Sequence, residues 1–141
     1  MATMQRDIFI NAPPAKVWHL TQDPAQWNLI EDILRPEHTE GSGGVGTVVE
    51  MGVIVEEIKL PTQLKVVEVI PGVSRKIEFA NQISQGYGLC TYENMNGRTK
   101  FTVRSEFSLQ GVGKVAEDLF MSDLAQIVER ALANLKTMAE R

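Results

Sequence analysis

Residues 87–109 read YGLCTYENMNGRTKFTVRSEFSL, and the Asn96-Gly97 step inside this stretch sets the register of the strands around it. A two-residue type I′ turn needs positive φ at both central residues, a conformation that Asn followed by Gly accepts readily. With Met95 opposite Arg98, Glu93 faces Lys100, Tyr92 faces Phe101, Cys90 faces Val103 and Gly88 faces Ser105. Side chains alternate between the two faces of a strand. Phe101, Val103, Ser105 and Phe107 therefore share one face with Tyr92 and Cys90, while Thr102, Arg104 and Glu106 point the other way. A hairpin that is largely apolar on one side and charged on the other belongs to an antiparallel sheet with one covered face.

Working outward, strand-like segments continue on both sides of the hairpin. Upstream lie Arg75–Asn81, Leu64–Ile70 ending at the Pro71-Gly72 turn, and the β-branched run Thr47–Val55. Lys59–Gln63, around Pro61, reads as a loop between strands. Arg35–Glu40 is polar and contains Pro36, as an edge strand would. Met4–Ile10 opens the chain as a strand, with Ile8 and Ile10 on one face and Asp7 and Phe9 on the other. Two short helices follow it. Pro14 suits the first helical turn, where its missing N–H loses nothing, and Val17 with Trp18 or Leu20 makes the apolar side. Asp23 can cap a second helix over Pro24–Leu29, which carries Trp27.

Downstream, about Gly113 to Glu140 forms the longest helix, some 40 Å at 1.5 Å per residue. Val115, Leu119, Leu124, Ile127, Val128, Ala131, Leu132, Leu135 and Met138 supply its apolar stripe. Met121, Leu124, Val128, Ala131, Leu135 and Met138 would also serve as a coiled-coil seam. Ile127 and Leu132 widen the stripe beyond such a seam, which favours packing on a sheet. The expected architecture is α+β: a curved antiparallel sheet of about seven strands, in the order β-α-α-β6-α, gripping a long C-terminal helix.

The 141 residues are enough for one domain, 1–141, with its own core. The balance of 14 basic and 18 acidic residues gives a net charge of −4, which offers no attraction for a phosphate backbone. Nucleic acid is excluded as a partner on that ground. One cysteine, Cys90, allows no intrachain disulfide and no multi-thiolate metal site. No secretory leader and no apolar run of membrane-spanning length is present, so the expectation is a cytoplasmic protein without membrane insertion, cofactor or metal. The sequence leaves oligomeric state open, a homodimer included.

Three segments resemble the START-like superfamily, also called SRPBCC or polyketide cyclase/dehydrase and lipid transport. Residues 10–18, reading INAPPAKVW, are similar to its first-strand-to-helix passage. Asp23-Pro24 with Trp27 is the second. Residues 40–47, reading EGSGGVGT, resemble the glycine-rich loop of its plant pollen-allergen branch. The resemblance implies a helix-grip fold whose cavity, between sheet and long helix, takes lipids, sterols, hormones, flavonoids or polyketides. On this reading Tyr92, Cys90, Phe101, Val103, Ser105, Phe107, Phe120 and Leu124 line the cavity. Leu60 and Pro61 would form a gating loop, Ser84-Gln85-Gly86 a latch, and Tyr87 and Gly111–Gly113 the rest of the mouth.

The chemistry expected of such a site is spare. The glycine-rich loop lacks the Lys-Ser/Thr of a P-loop and precedes a strand, so it reads as a turn rather than a phosphate cradle. His19 and His38 have no evident carboxylate partner, and Cys90 has no evident base; Cys90 reads as a small buried hydrophobe. Tyr92 is the best candidate for orienting a guest, since its ring packs while its hydroxyl donates. A carrier of a small hydrophobic metabolite is the leading expectation. An aromatase/cyclase-type enzyme and a co-chaperone-like interaction module are the alternatives.

Overall fold

In the computed structural model the hairpin closes as its turn residues require: Asn96 and Gly97 have φ of 57° and 88°, and Asn94 Oδ1 accepts the Gly97 N–H at 2.9 Å. Residues 2–31, 34–55, 58–111 and 114–141 are described. The elements are β1 (Ala2–Ile10), α1 (Pro14–Gln22), a 3₁₀ turn at Pro24–Gln26, α2 (Trp27–Ile30), β2 (Leu34–Glu40), β3 (Val48–Val55), β4 (Ile58–Ile70), β5 (Ser74–Ala80), β6 (Ser84–Met95), β7 (Arg98–Leu109) and α3 (Lys114–Ala139). Asp23 does cap, accepting the Ala25 N–H at 3.0 Å, but the expected second helix divides into a 3₁₀ turn and one α turn.

The strands form one antiparallel sheet in the order β1-β7-β6-β5-β4-β3-β2. Every hairpin pair anticipated above recurs, from Glu93 with Lys100 to Gly88 with Ser105. β1 crosses to the far edge and pairs with β7, Ala2 opposite Phe107 and Ile10 opposite Thr99. Two bulges bend the sheet. On β4, Val66 pairs with Ile77 and Glu68 with Lys76, so Val67 is an extra residue. The slip turns Val69 inward after Leu64 and Val66, keeps Glu68 outside, and adds local twist. A second irregularity falls between Pro36 and His38 on the edge strand β2.

α3 rests on β1, α1 and α2 and is pinned at its C-terminal end. Glu140 Oε2 accepts the Asn11 N–H at 2.8 Å, Lys136 Nζ donates to the Phe9 carbonyl at 3.1 Å, and Asn134 Nδ2 donates to the Ile30 carbonyl at 3.1 Å. Val128, Leu132, Leu135 and Ala139 are buried with Met4, Ile10, Val17, Trp18, Tyr92 and Phe101. Trp27, Val49, Met51 and Val66 make a second cluster beneath β3 and β4. Leu119 departs from the expected stripe and is 64% exposed, because five residues before Leu124 place it about 140° around the helix. Asp32, Gly113 and the Val115 side chain lie outside the described residues.

Two expected loops are strand. β4 runs unbroken through Leu60, Pro61 and Thr62, with Pro61 opposite Gly52 of β3. The β4–β5 ladder begins only at Gln63, so a proline at 61 can turn its nitrogen to the side where β5 is absent. Ser84-Gln85-Gly86 opens β6 rather than forming a latch.

Candidate ligand cavity

Because α3 is held at one end and along β1, it stands off the middle of the bent sheet. The gap is a cavity of about 310 Å³, lined from α3 and from β3 through β7. It separates the two core clusters: Tyr92, Phe101, Val128 and Leu132 border it from one, Trp27, Val53, Leu64 and Ile77 from the other. Such a volume lies at the lower end of small-molecule pockets, and its wall is mostly apolar as theirs are.

Of the residues expected at the cavity, Tyr92, Cys90, Phe101, Val103, Ser105, Phe107, Phe120 and Leu124 all line it. Leu60 lines it too, from a strand rather than from a gating loop. Pro61 is exposed and outside it. Tyr87 is likewise not at a mouth. Odd-numbered on β6, it lies on the outer face, where its hydroxyl donates to Glu106 Oε2 at 2.6 Å and Lys76 Nζ sits 4.3 Å from its ring centre. That hydrogen bond first, then desolvation, pushes the Tyr87 phenol up from its ordinary value. The same bond, with Arg104 beside it, lowers the Glu106 carboxyl.

Gly88 helps to leave the space open. A Cβ built on it would meet nothing closer than Ser105 Oγ at 3.9 Å. At the Phe79 end, Phe107 makes an edge-to-face contact with Phe120, ring centres 5.9 Å apart, and a tilted one with Phe79 at 6.4 Å. About four residues along β5, some 13 Å, separate this aromatic end from Arg75.

Arg75 is a buried cavity residue that the sequence reading missed. Its side chain is 2% exposed and lines the cavity. The guanidinium lies over the Trp18 ring with Cζ 4.2 Å from the ring centre. Nη1 donates to the Thr21 carbonyl at 2.9 Å and approaches Thr21 Oγ1 and Tyr92 Oη, each at 3.4 Å. Among the described residues, Nε and Nη2 have no hydrogen-bond partner. Beside it the Tyr92 hydroxyl and Thr21 Oγ1 are 2.6 Å apart, and Trp27 Nε1 donates to the Thr21 carbonyl at 2.9 Å. Burial dominates the electrostatics here. It pushes the Tyr92 phenol well above its ordinary value, with Arg75 pulling the other way, so Tyr92 remains a neutral donor. Burial likewise pushes the Cys90 thiol up to about 11. Two acidic residues, Glu31 after α2 and Asp123 on α3, also belong to the lining.

The histidines stand elsewhere. His19 is exposed, and His38 Nε2 lies 3.4 Å from Glu40 Oε1 on the open edge strand, a partner two residues along that the sequence reading passed over. Among the described residues, no three His, Cys, Asp or Glu side chains are grouped to hold a metal ion. The glycine-rich loop is tied to β4 and to Thr47. The Gly43, Gly46 and Thr47 amides donate to Thr47 Oγ1, the Val66 carbonyl and the Gly44 carbonyl, so these three are engaged in holding the turn. No helix among the described residues is long and apolar enough to cross a membrane.

Solved structures share this fold. The chain superposes on the aromatase/cyclase Zhui from Streptomyces sp. R1128 with a TM-score of 0.84, at 16% identity over 99% of this chain and 94% of that one. TTHA0849 from Thermus thermophilus gives 0.83 at 14% identity, covering 96% and 95% of the two chains. Ara h 8.0201 gives 0.75 at 16% identity, covering 98% and 97%. At such identities the likeness is one of fold. No curated protein matches the sequence. The family model described as polyketide cyclase / dehydrase and lipid transport matches residues 1–140, and with the helix-grip fold around a cavity the chain belongs to that family.

Proposed function

We propose that this protein binds and carries a small, mostly apolar molecule in the cavity between α3 and the sheet. The observation that carries this reading is the cavity itself: a hollow of about 310 Å³ where a domain of this size would otherwise pack side chains. Its driving force is burial of apolar surface, worth roughly 25 cal/mol per Å². An interaction module would have no use for such a hollow, and a solid interior would serve it as well.

A cyclase-type enzyme is the second reading. The family's description and the likeness to an aromatase/cyclase favour it, as do the two donors, Arg75 and Tyr92, at the cavity wall. Against it, Tyr92 is partnered by Thr21 and Arg75 rather than by a carboxylate or imidazole that would exchange its proton.

Native mass spectrometry of freshly purified protein tests the carrier reading. We expect adduct mass above that of the chain, lost on denaturation, or, in an emptied preparation, saturable binding of anilinonaphthalene sulfonate that alkyl compounds displace. Bare chain mass together with no probe binding would overturn it.

A further inference from the structure

A guanidinium shut away from water with most of its donors idle is expensive, because a buried charge is stabilised only by partners that replace its hydration. Arg75 is in that condition. Which donors are idle matters more than how many. Nε–H and the Nη2–H beside it are parallel and lie along one edge of the planar group, the edge that grips the two oxygens of a carboxylate. Nη1, on the other side, is occupied by Thr21 and Tyr92, and the plane is set by stacking on Trp18. The guanidinium is thus oriented before any guest arrives, with its two-pronged edge unused.

We propose that Arg75 is a carboxylate receptor, so that the guest is an apolar molecule ending in a carboxylate. This deepens the carrier reading and rests on it. The head sits on Nε and Nη2 of Arg75, which have almost no accessible surface in the empty cavity, so a side-chain movement in the adjoining wall uncovers them as it enters; the body runs along β5 toward Phe79, Phe107 and Phe120. Glu31 adds a negative charge to the same lining, where it opposes Arg75 in the field at Cys90. Selection therefore depends on the directed pair of donors and not on a generally positive cavity. A ligand oxygen that completes the fork relieves the buried charge, which rewards an acid over an alcohol of equal length.

Decanoate and decanol are suitable probes, since their extended chains are comparable to the reach along β5. Titration calorimetry on the emptied protein should give decanoate an affinity at least tenfold above decanol. In Arg75→Met that preference should vanish. The substitution leaves no described polar neighbour stranded, because the Thr21 carbonyl keeps Trp27 Nε1 and the Tyr92 hydroxyl keeps Thr21 Oγ1. Should the chain nonetheless fail to fold, the Arg75 Nε–H resonance of the unaltered protein decides: it should shift with decanoate and not with decanol. Equal affinities for the two probes, or an unmoved resonance on saturation with decanoate, would overturn the carboxylate assignment and leave the carrier reading intact. Binding of neither probe would likewise overturn the carboxylate assignment, while the carrier reading falls only on a bare chain mass together with no anilinonaphthalene sulfonate binding.

Discussion

Cys90 faces Arg75 across the β5–β6 ladder, and its remaining accessible surface opens into the cavity. Desolvation holds its thiol to about 11, against an ordinary 9.0, so the thiolate fraction near neutrality falls by about 100-fold. Alkylation by iodoacetamide at pH 8 should be slower than that of a free thiol by at least that factor. The folded thiol keeps its proton to higher pH than the unfolded one. Its contribution to stability is complete below about pH 9 and is lost as pH rises through 9 to 11, by roughly 2–3 kcal/mol. Thermal unfolding followed across that window should show the decline, and Cys90→Ala should flatten it; an equal decline in the variant would assign the effect elsewhere, Tyr92 having the same sign. At this scale the sequence was legible where parity was pinned by a turn. Tyr92 and Cys90 were placed by Asn96-Gly97. Arg75 was hidden by its neighbour Lys76, which makes the two look like a surface pair. The available signal was its shared parity with Ile77 and Phe79, set against Lys76 and Glu78. Tyr87 was misplaced although that same parity puts it outside.

Among the elements, the glycine-rich segment before β3 is shaped by crowding and backbone handedness. Gly43 has φ +108°, and a Cβ there would lie 2.2 Å from the Gln22 carbonyl oxygen at the end of α1. Gly43→Ala should lower stability by about 2–4 kcal/mol in urea denaturation, since strain and a backbone clash coincide. Gly44 has open space around its Cβ position and negative or extended φ, so Gly44→Ala should change stability by under about 1 kcal/mol. Gly88 poses the opposite case. Its missing Cβ leaves room, so Gly88→Leu should fold, melt no lower than the parent, and weaken anilinonaphthalene sulfonate binding at least tenfold by filling the hollow. Unchanged probe affinity in a folded Gly88→Leu chain would mean that the probe sits elsewhere. The β4 reading failed at Pro61 for a tertiary reason. A proline interrupts a strand only where both neighbours claim its backbone, and β5 stops short of it. The bulge at Val67 was equally invisible, because V-V-E-V-I alternates plausibly in either register until β5 chooses one.

For the molecule as a whole, the order of elements was readable because each has its own period or punctuation, whereas the cavity was legible through the family resemblance and not through any local pattern. A void is set by where two bodies fail to touch, and no local pattern records that. Small residues facing inward at Gly88, Cys90 and Ser105 hinted at it; the pinning of α3 to Asn11, Phe9 and Ile30 is what opens it. Most of the ladders join neighbours in sequence, but β1 pairs with β7 across nearly the whole chain. Refolding followed by the fluorescence of the buried Trp18 and Trp27 should accordingly fall in the milliseconds-to-seconds range of non-local topologies, and a microsecond phase accounting for the full amplitude would contradict it.

That closing ladder also orders events on the ribosome. β1 leaves the exit tunnel long before its partner, and Met4, Ile8 and Ile10 must wait uncovered, or in a chaperone's keeping, until β7 has been made. The far wall of the hollow emerges later still, with α3. The walls of the hollow are therefore complete only once β7 and α3 have both been made.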